Sequence, residues 1–309
     1  MTFGDLLLQQ MINGLSLGAM YALLALGFTL VYGILELINF AHFNVFMIGS
    51  FVGLWTLEAM GLKGQSVIMT GLPLVAVLLA VLIVTMLASG ILGVAIERLS
   101  LRPLRNVKGP TAMITTIGVS YILFNIILLG VGAQPKNYPN PLPSVQWSIG
   151  DAVLRLRELL IWIIAVLLML GLHVFVRHSK LGRAMRATAQ DAEAARMMGV
   201  EVDRVVIIAF FIGSALAGAG GLIFGLYYNF TSFLIGFTAG LRAFTAAVLG
   251  GIGNIPGATA GGLIIGLIEA MGGQFIGAAW TDVIIFSILV LVLVFRPAGL
   301  FGRLAPNRS

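Results

Sequence analysis

A few polar turns divide the chain into long apolar blocks, and that pattern decides the fold class before any motif is considered. The blocks run at about Leu6–Ile34, Ile38–Met60, Ile68–Ala95, Thr111–Val131, Leu159–Val176, Val205–Tyr228, Leu234–Leu249, Ala258–Met271 and Val283–Phe295. The long ones meet the length of roughly 20 residues that a helix needs to cross a bilayer. Leu234–Leu249 and Ala258–Met271 are short and rich in glycine. The period-two alternation of a membrane barrel strand is missing, so strands are not expected. Of the 309 residues, 59% are hydrophobic and 10% charged, with a mean hydropathy of +1.05. A soluble domain is excluded at that composition. The expected fold is an all-α polytopic membrane protein, one domain over residues 1–309. It should have about eight to nine transmembrane helices, some broken or re-entrant.

Charge sets the orientation. The net charge of +6 is modest, and the basic residues gather in three places. Arg98, Arg102, Arg105 and Lys108 follow the third block. Arg177, Lys180, Arg183, Arg186, Arg196 and Arg204 lie in a polar insert over 177–204, and Arg296, Arg303 and Arg308 end the chain. The positive-inside rule puts all three in the cytoplasm, the N-terminus outside, and residues 132–158 in the main external loop. Arg155 and Arg157 run against this and would have to snorkel to the headgroups. Such clustering suits a lipid surface, not nucleic acid. With no cysteine, disulfides and thiolate metal sites are excluded. The opening MTFGDLLLQQ has no basic n-region and does not read as a cleaved signal. No GxxxxGK[ST], HExxH or triad spacing occurs, so no catalytic residue, metal or cofactor is expected on this chain.

Within the insert a short helix is fully punctuated. Asp191 is a good N-cap, Glu193 suits the positive end of the helix dipole, Arg196 suits the other end, and Gly199 can take the left-handed stop. A helix this short is marginal in water, and a protein docked on its Ala/Met face would hold it. Elsewhere, Leu37–Gly49 and Gly236–Gly262 interrupt helical patterns, one in each half of the chain. Paired interruptions at mid-membrane point to a transport pathway built from an internal repeat. In the first, Asn39, His42 and Asn44 would shape a broken-helix joint, although bonding between packed helices explains them equally well. In the second, Gly253, Pro256 and Gly257 require the helix to break, while Ala258, Gly262 and Gly266 share one close-packing face. Arg242 and Glu269 are the charges furthest from water and are expected to pair.

At the insert, Glu193-Ala194-Ala195-Arg196-Met197-Met198-Gly199 resembles the EAA-xxx-G coupling motif of bacterial ABC importer permeases. NGLSLGAMYALLALGFTLVYGILELINFAH, GRAMRATAQDAEAARMMGV and AFTAAVLGGIGNIPGATAGGLIIGLIE are similar to the LivH-type permease of branched-chain amino acid ABC transporters, nearly end to end. The resemblance implies an inner-membrane permease subunit importing branched-chain or other small aliphatic amino acids. Its implied partners are a LivM-like second permease, two cytoplasmic ATPases that hold ATP-Mg, and an external or periplasmic solute-binding protein. Carried over by position, Gly182, Arg183, Arg186, Asp191, Glu193, Ala195 and Gly199 would form the ATPase-coupling element. There are two departures. Phe43 and Asn44 follow NFAH where the family commonly has a glycine and then often an acid, and the Leu-Pro that ends the motif in many other importers is absent. Close relatives carry urea or short amides, and an ATP-independent channel or ion-coupled carrier is the rival from another class. Such a carrier would need a buried carboxylate, for which Glu269 is the candidate.

Overall fold

The computed structural model describes residues 2–63, 68–104, 107 and 110–302. Arg105, Lys108, Arg303 and Arg308, counted above for orientation, lie outside them. Every apolar block is helical. The first is α1 (Phe3–Leu35), followed by α2 (Ala41–Ala59), α3 (Gly71–Ile96), α4 (Thr111–Val131) and α5 (Leu156–His178). The insert folds as α6 (Lys180–Gln190) and α7 (Ala192–Met197). The last blocks are α8 (Val202–Tyr228), α9 (Ile235–Gly250), α10 (Ile255–Gly272) and α11 (Thr281–Phe295). A π turn and a 3-10 turn over 97–104 prolong α3, and a similar pair over 273–280 joins α10 to α11. The few strands lie outside the blocks: β1 (Lys136–Asn137) pairs with β4 (Phe230–Thr231), and β2 (Gln146–Ile149) with β3 (Ala152–Arg155), both antiparallel.

Among the described residues, six stretches are long and apolar enough to cross a membrane: Phe3–Leu35, Gly71–Leu104, Thr111–Val131, Leu156–His178, Val202–Tyr228 and Ile255–Phe295. The protein is a multi-pass membrane protein. The stretches differ sharply in burial. The apolar windows of α1 and α8 are 83% and 78% buried, that of α4 only 17%. Thus α1 and α8 form the centre, while α4, α5 and α11 turn Ile, Leu and Val outward.

Small residues make the central contacts. A Cβ on Gly262 of α10 would lie 2.4 Å from the Cα of Ala22 on α1, and one on Gly27 would lie 2.3 Å from the carbonyl oxygen of Gly213 on α8. Gly262 and Gly266 turn to α1, with Ala258 fully buried on the same four-residue spacing, while Gly257 and Gly261 turn to α9. Backbones this close gain dispersion contact along the whole seam, which is what drives association where lipid is as apolar as the side chains.

The contacts also define two ends. At one, Val31 of α1, Leu101 after α3, Ala112 of α4, Ala195 of α7 and Val202, Val206 and Phe210 of α8 form a separate apolar cluster. Arg102 pairs with Asp203 there at 3.1 Å. The α9–α10 turn reaches the same end, where Leu300 donates its amide to the Leu249 carbonyl. At the other end, the amide of Asp151 in the β2–β3 hairpin donates to Asp5 and that of Val153 to Gln9. The Arg157 guanidinium donates to the Tyr227 carbonyl at 2.8 Å and lies over the Tyr227 ring. Tyr138 is buried between Gly53 and Gly225, and burial pushes its phenol well above the usual range.

One expectation needs correction. Gly236–Gly262 is not broken at mid-depth: α9 is continuous to Gly250, and the chain turns over 251–254 at the end of the bundle. Gly251 and Gly253 supply the positive φ values of that turn, +96° and +89°, which only glycine adopts freely. The other interruption does lie within the bundle. After α1 ends, residues 36–40 run back along it, and α2 begins beside Leu24 and Gly27. Gly27 is about 12 Å of helix before the end of α1. The two interruptions are therefore unlike each other and give an internal repeat no structural support.

Candidate functional site

The insert over 177–204 is built from two tied helices. Ser179 caps α6, its hydroxyl accepting from the Gly182 amide at 2.8 Å. A Cβ on Gly182 would lie 2.3 Å from the Val176 carbonyl oxygen, so the corner between α5 and α6 closes only around glycine. Arg186 extends along the same corner and donates to the carbonyls of Val176 and Arg177, which would otherwise be orphans at the end of α5. Arg183 is exposed. The next helix, α7, starts at Asp191, whose carboxylate accepts from the amides of Glu193 and Ala194, each at 2.9 Å. It stops at Gly199, with φ +85°, where the Val200 amide bonds back to the Ala195 carbonyl. That is the left-handed stop that the sequence predicts.

The Ala/Met face does not act as one surface. Ala195 is 5% exposed and packs inward on the cluster with Val202, Val206 and Phe210. Met197 and Met198 are 80% and 84% exposed. A small residue at 195 lets α7 lie against the start of α8, so the helix is held by its own bundle as well as by its caps. The surface it presents is the Met197–Met198 tip, with Glu193 and Arg196 exposed beside it.

Three polar groups lie at the start of α2, and they do different things. The Asn39 side-chain oxygen accepts the Ala41 amide at 3.1 Å, at the first residue of α2. His42 sits against α1, its Nε2 3.3 Å from the Leu24 carbonyl, in space that a side chain at Gly27 would fill. Asn44 reaches the other way, to α4, where its amide donates to the Ser120 carbonyl at 2.8 Å and to the Ser120 hydroxyl at 2.6 Å. Thr116, one turn earlier, accepts the Phe40 amide at 3.2 Å. Of the three, Asn44 lines a cavity of about 380 Å³ between α2, α4 and α9, together with Phe40, Phe43, Ser120, Phe124 and Phe237. The sequence reading missed Thr116 and Ser120, which were visible only as polar residues within an apolar block.

A second cavity, of about 650 Å³, opens at the insert end between His173, Arg177 and Arg186 and the α9–α10 turn. Gly253 and Pro256 line it. Asn254 caps α10 by accepting the Gly257 amide at 3.2 Å. These residues border the insert and lie away from Asn39, His42 and Asn44.

Arg242 and Glu269 meet, Nη1 to Oε1. The Tyr21 hydroxyl lies 3.2 Å from the same nitrogen, and Asp282 accepts from Nη2 at 2.8 Å. One cation thus bridges α1, α9, α10 and α11. Asp282 opens α11, one residue before the last apolar block as drawn from the sequence, and for that reason was not counted. Among the described residues no group of three His, Cys, Asp or Glu side chains could hold a metal ion.

The family model for the permease component of the branched-chain amino acid transport system matches residues 10–293. The chain is 43% identical over 301 residues to the high-affinity branched-chain amino acid transport permease LivH of Escherichia coli K12, covering 96% of each. It is 40% identical over 300 residues to BraD of Pseudomonas aeruginosa, again covering 96% of each. The probable LivH permease of Methanocaldococcus jannaschii is 28% identical, covering 91% of this chain and 88% of its own length. No solved structure matches. With an all-helical membrane bundle and a match that runs nearly end to end, the chain belongs to the permease-component family of branched-chain amino acid transport systems.

Proposed function

We propose that this chain is one of a pair of permeases in an ATP-driven importer that moves branched-chain or other small aliphatic amino acids across the inner membrane. ATP-Mg would be held by two cytoplasmic ATPases, the second permease would be LivM-like, and a solute-binding protein would deliver substrate at the outer face. The insert end would face the cytoplasm and the β2–β3 hairpin the exterior. α1, α2, α3, α4, α5, α8, α9, α10 and α11 would then cross in alternating directions. The observation that carries the reading is the exposed Met197–Met198 tip in a chain 43% identical to a LivH permease along almost its whole length.

The geometry suggests how work would enter. ATPase closure would push on α7, with Asp191, Glu193 and Gly199 keeping the helix intact and Ala195 transmitting the load to α8. Gly182 and Arg186 would transmit it through α6 to α5, with Arg183 meeting the ATPase surface. Since α8 packs on α1, α2 and α3, a shift there would repack the centre of the bundle, the usual route to alternating access. An ion-coupled carrier is less well supported, because Glu269 is already paired with Arg242.

The test is uptake of labelled leucine and urea by vesicles holding the permease pair and its ATPases. ATP-dependent leucine uptake is expected, with loss of ATPase association in Glu193→Lys and Gly199→Pro. The proline cannot adopt the φ of +85° at that position. Uptake that continues without ATP or ATPases would overturn the reading.

A further inference from the structure

We propose that the cavity between α2, α4 and α9 is a subsite for the passing amino acid, with its aliphatic side chain on the phenylalanine wall and its charged groups at Asn44 and Ser120. This inference rests on the permease reading above.

The cavity has the make-up of a small-molecule site. Its volume of about 380 Å³ is near the low end of the range for such pockets, roughly 300–1,000 Å³. Phe40, Phe124 and Phe237 give it an apolar wall, and Asn44 and Ser120 are adjacent polar groups in it. Asn44 is 4% exposed, and its carbonyl oxygen has no protein partner. A buried acceptor left unpaired is costly and calls for an explanation. The Ser120 hydroxyl oxygen accepts from Asn44, which leaves its own hydrogen to point elsewhere. The Asn44 oxygen has almost no accessible surface and lies against Gly236 of α9, so it is not presented to the cavity at rest. A turn of the Asn44 side chain towards the cavity would set this acceptor beside the Ser120 donor, matching an ammonium and a carboxylate on one carbon. Neither group carries a full charge, so the ligand would be held weakly, as passage requires. The fixed cation of this region, Arg242, is spent on Glu269 and Asp282.

Phe43 sets the size of the site. It is 3% exposed, stacks on Phe28 and meets Phe40 edge-on. A Cβ on Gly240 of α9 would lie 2.3 Å from the Phe43 ring. The glycine thus gives the ring room to lie back, and any larger residue at 240 would drive it into the cavity.

The test uses the complete assembly in vesicles with saturating solute-binding protein, measuring leucine and alanine uptake separately. Gly240→Ala should lower the leucine-to-alanine ratio about tenfold, the low end of what one methylene decides in an apolar pocket. Phe43→Leu should act in the opposite sense and admit phenylalanine, which keeps the test decisive if Gly240→Ala fails to fold. Ser120→Ala retains the Asn44 bond to the Ser120 carbonyl, and it should slow both substrates about tenfold with the ratio unchanged, as loss of one hydrogen bond to a charged group would. If wild-type uptake is intact but Phe43→Leu leaves the ratio unchanged and Ser120→Ala leaves the rates unchanged, the subsite is refuted and the permease reading stands. If the wild-type assembly imports no amino acid under ATP, the permease reading itself fails.

Discussion

Arg242 contacts residues on three other helices, and removing its charge affects all of them. Arg242→Met would leave Glu269, 11% exposed, and the more solvated Asp282 without a counter-charge. Breaking a buried pair from one side costs about 3–5 kcal/mol, and a thermal melt in detergent should show Arg242→Met well below Glu269→Gln, which leaves the Arg242–Asp282 bond in place. Exchanging the charges by Arg242→Glu with Glu269→Arg should rescue only part of the loss, because the new glutamate would face Asp282. A full rescue would show that Asp282 contributes nothing. The sequence made Arg242 and Glu269 legible because charges inside apolar blocks are rare. It concealed Asp282 because an acid at the start of a helix already has a sufficient local reason to be there. The glycines were legible as packing residues from their spacing, and Gly262 offers a direct check. Gly262→Leu must push α1 from α10 at Ala22 and should lower the melting temperature by an overpacking cost of about 1–3 kcal/mol.

At the scale of elements, α7 is a six-residue helix, too short to persist without caps and contacts. Asp191→Ala removes the acceptor for two amides, worth about 1 kcal/mol. The bundle should melt at nearly the same temperature while ATPase binding weakens, since the loss falls on the tip alone. A large fall in melting temperature would instead make α7 a structural brace. Both caps of α7 were legible because capping is local chemistry. That Ala195 turns inward was not, because a six-residue helix is too short to show which alanine faces the bundle. The start of α2 divides in the same way. Asn39 and Asn44 were recognisable as polar groups that must be satisfied, but their partners, Ala41 and Ser120, could be found only in the fold. A helix break was expected over Gly253–Gly257. The turn falls at 251–254, so that Pro256 and Gly257 lie in the first turn of α10 and the depth of the break was misread. Glycine and proline dictate a break without saying where the membrane lies.

For the whole molecule, the class was legible from apolar length and composition, while the packing order was not. A block that faces lipid and a block that faces its neighbours are equally apolar, so nothing in the hydropathy of α1 and α4 separates 83% burial from 17%. Composition was a partial signal: the α8 block is richer in glycine, alanine and serine than α4 or α5, but the α1 block is no richer than that of the outward-facing α3. The orientation can be tested cleanly because the chain has no cysteine. Single cysteines at Ser148 in the β2–β3 hairpin and at Ala189 beside the insert are both at exposed positions. An impermeant thiol reagent applied to intact cells should label the first and spare the second. Labelling of Ala189→Cys alone would invert the proposed topology.

The seam between α1 and α10 has a consequence for biogenesis. Gly14 and Gly18 wait for Leu267 and Leu263, so the helix that enters the bilayer early finds its main neighbour only after most of the remaining chain has been translated. Contacts of such long sequence separation form late. Until then α1 is covered only in part, by α2, α5 and α8, and a ribosome stalled before α10 would release a chain with the glycine face of its most central helix uncovered, ready for surveillance proteases.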